Sequence, residues 1–180
     1  MRHYGFVALA LTLLSLFTLA GLILSGLTGW ALSHGLGANP SAARHIALAV
    51  PAVLFSLFTQ SMVLFFFIGT GKLLKDAAAA RPDEAGRKYI LRRVRDFKVR
   101  TSGLATFAPL SALACGLLGV TSHTGKTPAA LHLASAAAAL VLHLVAFGRE
   151  VVAMAETNQL MDEAATLVPP PDPETGAKGT

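Results

Sequence analysis

KLLKDAAAARPDEAGRKYILRRVRDFKVR, residues Lys72–Arg100, lies midway along the chain and carries ten of its fifteen lysines and arginines. Long apolar runs flank it on both sides. Lys and Arg collect in this way in a cytoplasmic loop between two membrane spans. With that loop inside, the direction of every other segment follows.

Composition agrees with a bilayer protein. The 180 residues are 53% hydrophobic and 14% charged, with a mean hydropathy of +0.58. A soluble domain carries about 25% charged residues, and its core has no use for apolar runs of this length. The net charge of +5 is confined to one loop, which argues for anionic lipid headgroups as a partner and against nucleic acid. The lone Cys115 excludes a disulfide within the chain, and no Cys or His pairs fall at zinc-ligand spacing.

Outward from the loop, four spans are predicted, at about 5–32, 43–71, 102–121 and 128–150. The first begins after Arg2 and is about twice as long as a signal peptide's apolar core of roughly 7–15 residues, so it reads as a retained span. Its Gly21, Ser25 and Gly29 are four apart, a spacing that lets helix backbones approach closely in lipid, here within the chain's own bundle. Trp30 suits a headgroup interface. Asn39, Pro40 and Ser41 read as the entry to the second helix. Pro51 and Pro109 should bend the second and third spans. Thr127-Pro128 opens the fourth, which continues past the membrane, and the Pro-rich tail 168–180 reads as unfolded.

Within the basic loop, Arg81-Pro82-Asp83 stops one helix and starts another. Ile90, Val94 and Phe97 then recur at helical spacing, with Arg87, Arg92, Arg93, Arg95 and Lys98 between them. The pattern fits a basic amphipathic helix on the headgroups, merging into the third span. The predicted fold is all-α: an antiparallel bundle of four transmembrane helices in residues 1–167, both termini cytoplasmic, in the cell inner membrane. The acidic residues Glu150, Glu156, Asp162 and Glu163 after span four are expected against the basic helix.

Two glycine-lysine strings, Gly69–Lys72 and Gly119–Thr127, lack the spacing and the strand-to-helix setting of a phosphate loop, so no nucleotide site is expected. No serine-histidine-acid or paired-carboxylate set shares a depth, so hydrolytic catalysis has no support. The histidines are the remaining candidates, because an ionisable residue inside a span is costly and marks function. Span four carries a small and polar stripe of His132, Ser135, Ala136, Ala139, His143, Ala146 and Glu150. Counted from the outer end, His45 and His132 reach similar depth, which is what a b-type haem held by two histidines requires. His143 has no histidine opposite it. At its depth lie Ser15, Thr18, Thr59, Gln60, Ser61 and Thr106, expected to form a buried polar layer.

In outline this arrangement resembles the small four-helix anchor subunits of respiratory complexes, some of which carry b haem. Two functions are therefore expected. The first is a non-catalytic accessory or anchor subunit of a larger membrane complex, with a membrane-protein partner or a second copy of itself. The alternative is a b-type cytochrome subunit exchanging electrons with quinone through a haem between His45 and His132.

Overall fold

The computed structural model describes residues 2–36 and 41–166. The expected turn at Asn39–Pro40 and the tail 168–180 lie outside them. Four helices account for nearly all of the described chain: α1 Arg2–Ser33, α2 Ala42–Ala79, α3 Glu84–His123 and α4 Ala129–Thr166. Each is long and apolar enough to cross a membrane.

The helices outrun the predicted spans. α2, α3 and α4 hold 38, 40 and 38 residues, which at 1.5 Å per residue is close to 60 Å, about twice the hydrocarbon thickness. α2 and α3 run on through Pro51 and Pro109. The excess lies at the basic end, where the stretch 72–100 divides between the last turns of α2 and the first half of α3.

No separate surface helix exists there, and the reason is phase. Ile90, Val94, Phe97, Thr101, Ala105, Ala108 and Ala112 form one uninterrupted buried stripe along α3, successive members being three or four positions apart. Nothing between Arg87 and Thr101 breaks the helix. The apolar face expected on lipid is instead covered by protein: Ile90, Val94 and Phe97 pack with Leu74 and Ala78 of α2 and Leu160 and Ala164 of α4.

Only four residues, 80–83, join α2 to α3. Asp83 caps α3 by accepting from the Gly86 amide at 2.8 Å, and Arg81 Nε donates to its carboxylate at 2.8 Å. The Arg81 hydrogen bond holds the Asp83 carboxyl below the usual carboxylate range. Gly86 supplies the room in which these two side chains meet, since a Cβ there would collide with both. At the far end the α3–α4 turn relies on Gly125, whose φ of +72° suits glycine because it has no Cβ to clash.

Contacts between α1 and α2 run in opposite numerical directions: Gly29 sits at His45 and Gly21 at Ala52, and Thr18 bonds Thr59. α1 also packs on α4, and α2 touches both α3 and α4, while α1 and α3 do not meet. The small ladder of Gly21, Ser25 and Gly29 therefore serves packing inside the chain.

Acidic residues of α4 meet the basic helix at one point. Glu156 accepts from Arg100 at 2.6 Å and lies 3.6 Å from Arg93. Both guanidinium groups also flank the Phe97 ring. Among the described residues Asp162 has no ion-pair partner, Glu163 accepts from Gln159, and Glu150 is buried in the bundle.

Candidate functional site

His45 stands in the first turn of α2 and His132 in the first turn of α4. Their ring centroids are 6.1 Å apart with an interplanar angle of 69°. Each ring lies on a glycine of the preceding helix. A Cβ on Gly29 would come within 2.8 Å of the His45 Cε1, and one on Gly119 within 2.9 Å of the His132 Cε1. A methyl group at either position would push its imidazole off the helix that supports it.

The two imidazoles are held alike. Thr28 Oγ1 donates to the Ser25 carbonyl at 2.9 Å, so its lone pairs face His45 Nδ1 at 3.4 Å. His132 Nδ1 lies 3.7 Å from Cys115 Sγ. A hydrogen on each Nδ1 leaves the Nε2 lone pair free, and among the described residues neither Nε2 has a hydrogen-bond partner. Ligating histidines are commonly oriented in this way, the outer nitrogen held and the inner one offered.

Around the pair the bundle is open. Cavities of about 260 and about 650 Å³ share His45, His132, Gly26, Gly116, Ala49 and Ala136 in their walls. The larger falls in the range of about 300–1,000 Å³ typical of small-molecule sites. Its lining is apolar apart from hydroxyls and imidazoles at the rim, including His123. Among the described residues no three His, Cys, Asp or Glu side chains group as metal ligands.

The deeper polar residues divide. His143 is buried, its Nε2 2.6 Å from Ser56 Oγ and its Nδ1 2.8 Å from the Ala139 carbonyl. Thr59 is buried and bonds Thr18; Gln60 is buried and donates to Glu150 at 3.3 Å. Thr106 is not in this layer. It is exposed and bonds back to the Ser102 carbonyl, because the buried stripe of α3 passes through Ala105 and Ala108. Ser61 likewise faces out, onto the Leu57 carbonyl. Of the headgroup candidates, Arg87, Arg92, Arg95 and Lys98 are exposed, while Arg93 is half-buried beside Glu156.

Five contributors lie beyond the sequence reading of the site: Gly29, Gly119, Thr28, Cys115 and Ser56. A signal for the first two is present. Gly26-Leu-Thr-Gly29 on α1 and Gly116-Leu-Leu-Gly119 on α3 are alike, and each is followed by Ala-x-His, at Ala43–His45 and Ala130–His132. The two hairpins repeat one pattern, glycines on the first helix and a histidine at the head of the second. The chain matches no known family model, no curated protein and no solved structure.

Proposed function

We propose that this chain is a multi-pass membrane protein whose four antiparallel helices hold a b-type haem between His45 and His132, and that it passes electrons to or from quinone. The observation that carries this reading is the pair of imidazoles 6.1 Å apart, each with Nδ1 engaged, in the wall of one apolar cavity. When bound, such a haem supplies a one-electron couple whose potential depends on axial ligands and burial. His45 and His132 would be those ligands. Thr28 and Cys115 would orient them, Gly29 and Gly119 would seat the imidazoles, and Gly26 and Gly116, with open space beside them, would let the ring approach the backbone.

The opposed contact order of α1 and α2 and the four-residue α2–α3 turn support the antiparallel arrangement. Lys and Arg crowding at one end supports a cytoplasmic basic end in the inner membrane, with the histidine pair toward the outer face. The test is an absorbance spectrum of protein purified in mild detergent after expression with a haem supply. A Soret band with a reduced-state b-type spectrum is expected, and His45→Ala and His132→Ala should each abolish the low-spin form. A colourless protein with intact helices removes the haem reading.

A second reading, an anchor subunit, is favoured by the exposed cations of α3. Arg87 lies fifteen residues before the third span, about 22 Å along the helix, beyond the headgroups of an upright bundle. Arg87, Arg92 and Arg95 would then meet an acidic partner protein rather than lipid, with Lys98 nearer the headgroups. Co-purification of an acidic partner that is lost on reversing these charges would support that role.

A further inference from the structure

Glu150 is fully buried at the level of the bundle where α1, α2 and α4 bring polar groups together. Among the described residues no Lys, Arg or His bonds to it. Its one partner is Gln60, whose Nε2 donates to Oε2 at 3.3 Å. Glu150 Oε1, Gln60 Oε1 and Ser15 Oγ are buried and have no partner.

Hydrogen-bond chemistry decides what Glu150 carries. As a carboxylate it is acceptor-only, and so is the amide oxygen of Gln60. Two acceptors would then go unpaired around an uncompensated buried charge, which is strongly unfavourable. One proton on Glu150 Oε1 makes it a donor to the Gln60 amide oxygen. Together with the existing N–H bond to Oε2 such a bond would close a two-bond acid–amide ring and satisfy both oxygens.

The neighbouring polar groups are paired elsewhere. Thr59 of α2 bonds Thr18 of α1 at 2.8 Å, and Thr18 donates to the Leu14 carbonyl at 2.9 Å. One turn from Gln60, Ser56 reaches His143 Nε2 at 2.6 Å. The Ala139 carbonyl can only accept, so His143 Nδ1 carries its hydrogen and Nε2 is the basic atom, receiving the Ser56 O–H.

We propose that Glu150 is a proton-binding site inside the bundle, held as the neutral acid by Gln60. The step is a proton gain alone: Glu150 Oε1 takes one proton as the site fills and returns it as the site empties. The inference is independent of whether the histidine pair binds haem.

Infrared spectroscopy of the detergent-purified protein at neutral pH tests it, because exposed carboxyls are ionised there. The expected result is a protonated-carboxyl C=O band that disappears in Glu150→Gln and shifts promptly in heavy water. A band unaltered by Glu150→Gln, or one that heavy water does not move, overturns the site. Should Glu150→Gln fail to fold, Gln60→Leu decides: loss of the amide donor should raise the band frequency, and an unmoved band overturns the acid–amide pair.

Discussion

At the basic end, Leu74, Ile90, Val94, Phe97 and Leu160 from three helices fill the space between them. At the histidine end, glycines and alanines of the same helices stand back around a cavity of about 650 Å³. Along α2 and α4 nothing nearer that end than Ala52 and Ala139 is buried, and α3 stops at Ala112. One set of continuous helices thus supplies a solid clamp at one end and a gap at the other. Helices locked at the basic end can hold two imidazoles 6.1 Å apart without large side chains to fix them locally. Stability and binding should therefore respond to different halves of the molecule.

The sharpest way to break that division is a pair of substitutions. Phe97→Ala should cost roughly 3–5 kcal/mol, as large aromatic truncations in cores do, read from denaturant titration of helicity. It should leave the haem spectrum of the folded fraction unchanged. Ala136→Phe does the reverse. It fills the gap and should prevent cofactor loading, with a change in unfolding midpoint well below that of Phe97→Ala, because the added ring enters open space. If both variants lose stability equally, the cavity is a packed core and the comparison fails.

A finer probe is Gly29→Ala, whose Cβ would come within 2.8 Å of His45. The imidazole must move, and cofactor affinity should fall about tenfold, equivalent to roughly 1.4 kcal/mol, measured by haem titration. Gly148→Ala, at an exposed position of α4 outside the cavity and with no atom within 4 Å of the new Cβ, is the control and should keep its affinity.

The smallest effect belongs to the ion pair at the basic end. A hydrogen bond from Arg100 holds the Glu156 carboxyl below its ordinary value, with the charges of Arg100 and Arg93 adding to it. A depressed carboxylate contributes stability that is fully present above its unfolded pKa, about 4.3. That contribution is lost as pH falls through the lower folded value. Glu156→Gln should therefore cost no more than about 1 kcal/mol at neutral pH, given its partial exposure. The difference from the unsubstituted protein should vanish in acid. A difference that grows in acid would contradict the sign.

Much of this was legible in the residues themselves. Apolar run length sets four helices, because the number of consecutive apolar residues is a property of the chain alone. Depth along a helix is also simple counting, which is why His45 and His132 could be paired beforehand. Rotation about the helix axis is less secure. Depth alone puts Thr106 in the buried layer, yet it is exposed because the packed stripe of α3 passes one residue away.

What only the tertiary structure decided is partnership. Glu150 belongs by sequence to an acidic stretch and by charge to the basic helix, but in the bundle it meets Gln60. Ser56 is indistinguishable from other membrane serines until His143 lies beside it. The fate of the Ile90–Val94–Phe97 face was open for the same reason: an amphipathic stripe records that something apolar must cover it, and only the positions of α2 and α4 say what. Hydropathy and periodicity are one-dimensional, whereas a hydrogen bond or a cavity needs two helices in a definite rotation and at a definite distance.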